Sequence, residues 1–319
     1  WGEKIASGKG CDIRRCISCN KGCTDAIQER RFISCVLNAE NGCENVRSIT
    51  PADVKKKVAV IGGGPAGLEA ARVAALRGHS VTLFERETEL GGQLNLACLP
   101  PRKSEMRRAT QDLIHAVQRA GVRLCLGCTV TEQQLLDEKF DAVIVAVGAH
   151  NAAPAIPGKE NINVADAWSV LAGREQVYGK VAVIGGGLVG SETAELLAEQ
   201  GCHVSVIEMM DKIAAAESTT ILPTLMESFK AHGVQQFPGH KVSCFQGTFS
   251  GLDHVGHFFG KHFADRVLPR LRGYPGAGGT AIDSRLGAAG IVAVHTAGRH
   301  RLQHMKINIQ TLGIHFNSP

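Results

Sequence analysis

Four cysteines crowd into a short stretch near the start of the chain: Cys16, Cys19, Cys23 and Cys35, with the spacing C-x2-C-x3-C-x11-C. Thiolates are soft ligands that suit iron–sulfur clusters or zinc. Structural zinc usually takes two matched C-x-x-C knuckles. Three close cysteines and one remote cysteine suit the larger cubane [4Fe–4S] core better. The spacing therefore favours a cluster, with zinc as the alternative and unliganded thiols as the plain reading. Further along, G-x-G-x-x-G occurs twice, as Gly62, Gly64, Gly67 and as Gly185, Gly187, Gly190. Each copy follows an apolar strand-like run and opens a helical pattern. In that setting the first glycine permits a tight turn and the second lets a pyrophosphate approach the backbone. The third lets helix and strand pack closely, and the helix N-terminus faces the phosphates.

Each glycine loop is answered by an acid at the end of the next strand. Glu85 and Glu208 both lie 23 residues after the first glycine of their copy. A carboxylate there can accept hydrogen bonds from ribose hydroxyls. It would repel a 2′-phosphate, and Glu208 is followed by Met209 and Met210 rather than arginine. The second site is therefore expected to take NADH rather than NADPH. After Glu85 comes Leu90-Gly91-Gly92-Gln93, which resembles the flavin-side loop of flavoproteins that hold two dinucleotides; a plain surface turn is the alternative. Asp141 to Gly148 reads as a buried strand ending in glycine, with the turn-rich exit Pro154 to Gly158 behind it. Gln93, Gly92 and Gly148 join the candidate flavin-side residues.

The elements that must position these residues repeat. Residues 57–85 match residues 180–208 at fifteen of twenty-nine positions, and both stretches read as strand, glycine turn, helix, strand, acid. A 123-residue shift is far longer than a solenoid period, so two copies of a nucleotide-binding unit are the simpler reading. The expected fold class is α/β, with two Rossmann-like, three-layer dinucleotide-binding domains preceded by a cysteine-rich iron–sulfur segment. The expected boundaries are 1–50 for the cysteine segment, 51–175 for the first dinucleotide domain, 176–240 for the second, and 241–319 for an atypical tail.

Composition excludes several classes. The net charge of +5 comes from the tail, where residues 228–319 hold ten Lys/Arg against three Asp. No basic stripe interleaved with aromatics supports a nucleic-acid partner. No apolar run approaches the roughly 20 residues of a membrane helix, and no secretory leader opens the sequence. Eleven cysteines without such a leader point to a reducing cytoplasm and to metal binding over disulfides. Cys125 and Cys128 form C-x-x-C but fall on and just after a strand pattern, whereas a thiol-redox pair usually begins a helix. Cys98, Cys202 and Cys244 read as small core residues. Eight of the thirteen histidines fall after residue 237, and no glutamate follows Glu227. That shift suggests a diverged end or a shifted reading frame. His254, His257 and His262, or His300 and His304, have metal-like spacing without an acid partner, and Gly276 to Gly279 reads as loop.

Cys16-Ile-Ser-Cys19-Asn-Lys-Gly-Cys23, then Cys35-Val-Leu-Asn38, then the first glycine loop, resemble the 2,4-dienoyl-CoA reductase and NADH:flavin oxidoreductase family, iron–sulfur relatives of old yellow enzyme. The resemblance covers about residues 3–240. It implies FAD at Gly62, Gly64, Gly67, Glu85, Gly92 and Gln93, and the nicotinamide nucleotide at Gly185, Gly187, Gly190 and Glu208. It implies a [4Fe–4S] cluster on Cys16, Cys19, Cys23 and Cys35. It also implies an FMN-containing barrel upstream, reducing activated C=C bonds in a small-molecule acceptor. A chain starting at Trp1, with Glu3 to Gly8 resembling the end of that barrel's last helix, is expected to be the part that follows it. The family's return to the FAD domain, a strand ending in Gly-Asp, has no counterpart here. The alternative is a non-catalytic remnant or partner-binding module whose cysteines hold zinc.

Overall fold

The computed structural model describes residues 2–151, 154–159, 163–246, 291–295 and 306–310. These fall into two compact units divided at His150/Asn151, with Ser218–Ile221 counted in the first. The expected α/β class is the one the chain adopts. The histidines at 254, 257, 262, 300 and 304, and residues 276–279, lie outside the described residues.

The first unit begins with short helices α1 (Gly2–Ala6), α2 (Thr24–Gln28) and α3 (Glu44–Arg47), joined by turns. A four-stranded parallel sheet follows, in the order β3 (Arg123–Cys125), β2 (Ser80–Phe84), β1 (Lys57–Ile61), β4 (Ala142–Val145). Strand β1 buries Val58, Ala59 and Val60 in succession. A continuous apolar run is what a strand covered on both faces requires. Helix α4 (Pro65–Leu76) starts on Gly64 with Pro65 in its first turn, where the missing N–H costs nothing. It buries Leu68, Ala71 and Ala74 in a core shared with Val60 and Leu83. Helices α5 (Leu94–Ala97) and α6 (Ser104–Arg119) follow, α6 contributing the fully buried Val117. Helix α7 (Glu132–Asp137) is fixed by a capping box between Thr131 and Gln134.

The expectation that Asp141 to Gly148 is a buried strand needs correction. The strand forms, but Val143, Ile144 and Val145 are 43%, 37% and 68% exposed. Among the described residues β4 is the edge of its sheet and pairs with β1 alone. Its continuous apolar run implies burial on two faces, and among the described residues neither face is fully covered.

The second unit opens with β5 (Asn163–Asp166) and α8 (Ala167–Leu171), whose first turn is capped by the Asp166 carboxylate accepting from the Ser169 N–H at 3.0 Å. β6 (Lys180–Ile184), α9 (Leu188–Glu199), β7 (His203–Ile207), α10 (Leu222–Ala231) and β8 (Gln235–Phe237) complete a parallel β6–β7–β8 sheet. The sheet order is β5-β10-β6-β7-β8, where β10 (Ile291–His295) runs antiparallel to both neighbours. β9 (Lys241–Gln246) pairs with β11 (Lys306–Gln310) in a separate antiparallel ribbon. The core gathers Val181, Val183, Val206, Leu197 and Phe229. Among the described residues no helix is long and apolar enough to cross a membrane.

Candidate functional site

The third glycine of each loop is dictated by contact. A Cβ on Gly67 would lie 1.8 Å from the Gly62 carbonyl oxygen, and one on Gly190 would lie 1.8 Å from that of Gly185. The loop folds back onto its own strand end, and only hydrogen fits between them. Gly62 and Gly185 take φ of +106° and +98°, open to glycine at little cost. At the second glycine the situation is reversed. A Cβ on Gly64 or Gly187 would meet nothing within 4 Å. That open space sits at the N-terminus of a twelve-residue helix, where unpaired N–H groups and the dipole favour an anion. Both loops therefore present the cradle a pyrophosphate needs.

The two acids occupy one geometry. Glu85 accepts from the Gly63 N–H at 2.5 Å and from the Glu87 N–H at 2.9 Å. Glu208 accepts from the Gly186 N–H at 2.6 Å and from the Met210 N–H at 2.7 Å. Each carboxylate is 8% exposed and uses one oxygen on the glycine loop and the other on the chain beyond the strand. A carboxylate can accept about four hydrogen bonds, so each still has capacity for ribose hydroxyls. The sequence reading gave these acids one task. The structure gives them a second, since their hydrogen bonds to the Gly63 and Gly186 N–H groups hold the loops in shape. The middle glycines, Gly63 and Gly186, were missed as donors. Their signal was the repeated Gly-Gly-Gly itself, because a G-x-G-x-x-G loop does not require glycine at that position.

The correspondence runs beyond the matching residues. The Gly91 N–H donates to the Gly63 carbonyl at 2.9 Å, and 123 residues later the Ala214 N–H donates to the Gly186 carbonyl at 2.7 Å. Leu90 and Ile213 press on the same two glycines, with approaches of 2.5 and 3.1 Å to an added Cβ. Past that point the units part. In the first, Gly92 takes φ +53° and lies against Gly64, 3.0 Å from its Cα to an added Cβ. The Gln93 side-chain amide donates to the Ala149 carbonyl at 2.6 Å, beside Gly148 at φ +75°. Thus the first unit brings together Gly62, Gly64, Gly67, Glu85, Gly92, Gln93 and Gly148. The second brings together Gly185, Gly187, Gly190 and Glu208.

The cysteine segment is tied to the rest of the first unit by charge. Arg15 grips Asp112 of α6 through both carboxylate oxygens, at 2.6 and 3.0 Å. The hydrogen bond holds the Asp112 carboxyl below its ordinary range and raises the guanidinium of Arg15. Arg119 pairs with Asp12 at 2.7 Å, and Arg14 with Glu69 of α4 at 3.6 Å. Asp25 on α2 accepts from the hydroxyls of Thr219 at 2.7 Å and Ser218 at 3.1 Å, and the Thr219 bond leads in lowering its pKa.

Within this segment Ser18 and Asn20 adopt φ of +54° and +57°, so the chain coils tightly between Cys16 and Cys23. The Ser18 N–H donates to the Cys16 sulfur at 3.2 Å, and the Ser34 N–H donates to the Gly22 carbonyl at 2.6 Å, joining the neighbours of Cys23 and Cys35. Cys16 and Cys35 line one cavity of about 680 Å³, together with Cys11; Cys19 and Cys23 do not line it. None of the four is in a disulfide, and among the described residues no three His, Cys, Asp or Glu side chains are grouped as a metal site. The donor chemistry, the N–H···S bond and the link between the Cys23 and Cys35 stretches fit a thiolate-held cluster. The closing of all four sulfurs around one centre is not among the observed contacts.

Elsewhere, Cys98 and Cys202 are buried as expected, with burial raising the Cys202 thiol pKa. Cys244 is only half-buried, because it lies on the two-stranded ribbon rather than in a main core.

Residues 56–256 match the family model described as pyridine nucleotide-disulphide oxidoreductase. The chain is 59% identical over 241 residues to a bilirubin reductase of Mediterraneibacter gnavus, covering 76% of this chain and 38% of that protein. It is 41% identical over 249 residues to an NADH oxidase of Thermoanaerobacter brockii, with the same coverages of 76% and 38%. Among solved structures, a 2-naphthoyl-CoA reductase superposes with a TM-score of 0.72 at 29% identity, over 76% of this chain and 37% of that one. The chain thus spans 38% of the length of these two curated relatives.

Proposed function

Because the chain belongs to the pyridine nucleotide-disulphide oxidoreductase family, we propose that it is the electron-input part of a larger iron–sulfur flavoenzyme, taking electrons from NADH. The observation that carries this reading is the doubled acid-held glycine loop, two dinucleotide cradles of one design with different surroundings beyond the acid. FAD is assigned to the first unit, at Gly62, Gly64, Gly67, Glu85, Gly92, Gln93 and Gly148. NADH is assigned to the second, at Gly185, Gly187, Gly190 and Glu208, where a carboxylate disfavours a 2′-phosphate and no arginine follows to receive one.

Bound FAD would supply the step from two-electron hydride chemistry to single electrons, which a [4Fe–4S] cluster on Cys16, Cys19, Cys23 and Cys35 could carry outward. The chain's own residues bind and orient. The N-termini of α4 and α9 face the phosphates, and the open sides of Gly64 and Gly187 let these approach. Glu85 and Glu208 fix the loops and offer oxygens to ribose. Gln93, anchored on the Ala149 carbonyl, steadies the loop carrying Gly92. No side-chain acid or base is assigned to the first transfer, since hydride transfer between two such cofactors depends on geometry.

By resemblance to the 2,4-dienoyl-CoA reductase class, the whole protein would carry an FMN barrel upstream and reduce an activated C=C bond of enoate or enoyl-CoA type. Relatives named for reduction of bilirubin and of 2-naphthoyl-CoA support that direction. A cytoplasmic location accords with eleven free cysteines. The test is anaerobic reconstitution with FAD, iron and sulfide. NADH should bleach the flavin absorbance, and iron and labile sulfide should be recovered in equal amounts. Retained FAD that ignores NADH would overturn the electron-input reading. Zinc in place of iron would favour the binding-module alternative for the cysteine segment.

A further inference from the structure

Cys125 and Cys128 take no part in the sites above, yet they bracket Glu85. The Glu85 N–H donates to the Cys125 carbonyl at 2.9 Å, and the Cys128 N–H donates back to the Glu85 carbonyl at 2.9 Å. Between them Gly127 bends the chain at φ +64°, its N–H on the Glu87 carbonyl at 2.9 Å. The second unit contains the same scaffold. The Glu208 N–H donates to the Phe237 carbonyl at 3.0 Å, and the His240 N–H donates to the Glu208 carbonyl at 2.8 Å. Gly239, at φ +69°, donates to the Met210 carbonyl at 2.8 Å. Cys-Leu-Gly-Cys therefore stands in the first unit where Phe-Pro-Gly-His stands in the second.

In the second unit the two side chains flanking that bend meet. The rings of Phe237 and His240 are edge to face with centroids 6.0 Å apart. The same backbone ties hold Cys125 and Cys128 to the two main-chain groups of Glu85, three residues apart around the Gly127 bend. A disulfide needs its Cβ atoms about 4 Å apart, which a three-residue step around a glycine bend permits. Both thiols are free and half-buried, reachable from solvent in a way that the buried Cys98 and Cys202 are not.

We propose that Cys125 and Cys128 form a reversible dithiol–disulfide site beside the first dinucleotide loop, closed by a low-molecular-weight disulfide such as oxidised glutathione. One cysteine thiolate attacks the small disulfide, forming a mixed S–S bond and releasing one glutathione thiol. The other cysteine attacks the protein-side sulfur, closing the Cys125–Cys128 bond and releasing the second. The protein gives up two electrons and two protons, and the small disulfide is reduced to two thiols. Closure fixes the bend that holds both main-chain groups of Glu85, and through it the carboxylate on the Gly63 N–H. The redox state of the pair and occupancy of the first dinucleotide site are therefore coupled, each altering the other by the same factor. This coupling rests on the assignment of FAD to the first unit; the disulfide itself does not.

The experiment equilibrates the full chain in glutathione buffers of graded oxidation, quenches with an alkylating agent, and maps the tryptic peptide of residues 124–139, which contains both cysteines. Expected is joint loss of two hydrogens from that peptide without alkylation, reversed at reducing ratios. C125S and C128S should each leave the remaining cysteine carrying glutathione. Saturating FAD should change the disulfide-to-dithiol ratio at a fixed buffer ratio on the order of fivefold. Alkylation of both cysteines throughout, or independent glutathionylation of each in the unmutated chain, overturns the proposal. A chain that binds FAD but closes the pair indifferently to it refutes the coupling. A chain that never binds FAD contradicts the flavin assignment and leaves the disulfide to be judged on its own mapping.

Discussion

Opposite the middle glycine of the first loop stands Gly91, at φ +115°; opposite that of the second stands Ala214, at φ +50°. Both donate to the same carbonyl of their loops, yet only one is glycine. The cause is local. A Cβ on Gly91 would lie 2.4 Å from the Asn95 side-chain oxygen, a crowding that follows from α5 starting nearby. The second unit has a less regular turn there and tolerates a methyl group. The first strands differ in their partners as well. β1 has a parallel neighbour in β4, whereas β6 has an antiparallel neighbour in β10. The lesson is that the glycine loop and its acid are repeated closely, and the two units diverge in the chain beyond the acid and at the far edge of the sheet.

The harshest trial of this likeness is to fill the third glycine of each loop. Gly67→Ala and Gly190→Ala should each destabilise their own unit by about 3 kcal/mol or more, because a methyl group is driven into a carbonyl oxygen. Chemical denaturation should show similar losses for the two. A large difference would mean that the loops are not equivalent.

A smaller pair sharpens the contrast. Ala214→Gly should change the stability of the chain by less than about 1 kcal/mol, since relief of left-handed backbone is offset by loss of a fully buried methyl group. Gly91→Ala should destabilise it, through the same backbone penalty and the clash with Asn95. Thermal melting of both variants measures the two effects.

The gentlest expected effect concerns the acid side of pH, and it separates the units because the first carries the cysteine segment. Asp25 and Asp112 have carboxyls held below their unfolded value of about 3.9. Their contribution is complete above that value and is lost as pH falls through the folded pKa. The cysteine segment should therefore loosen below about pH 4, visible as faster cleavage within it by an acid protease such as pepsin. Asp25→Asn should blunt that response, and the buried β6 and β7 of the second unit should stay protected.

The glycine loops and their acids were legible in the sequence because their geometry depends on short fixed spacings. So was the α/β class, from apolar runs alternating with helical patterns. What escaped was long-range. Nothing local reveals that Gly63 and Gly186 donate to residues twenty-two positions away, or that Gly91 and Ala214 correspond despite differing in type. The bend at Gly127 matches the bend at Gly239 at a shift of 112 residues rather than 123, so direct alignment of the repeat passes over it. The exposure of β4 was misjudged because an apolar strand reads the same whether or not a neighbour covers it. The cysteine spacing named a ligand set, but the way Arg15, Arg119 and Asp25 fasten that segment to the first unit depended on side chains far away in sequence.

The central claim is that two like cradles hold unlike dinucleotides, each through its own acid. Measuring FAD and NADH affinities on the unmutated chain, Glu85→Ala and Glu208→Ala tests it most directly. Loss of a charge-assisted bond of about 2 kcal/mol corresponds to roughly thirtyfold in affinity. Glu85→Ala should weaken FAD by that order and spare NADH, and Glu208→Ala should do the reverse. If both ligands respond to the same acid, or neither responds to either, the assignment of one dinucleotide to each unit is contradicted.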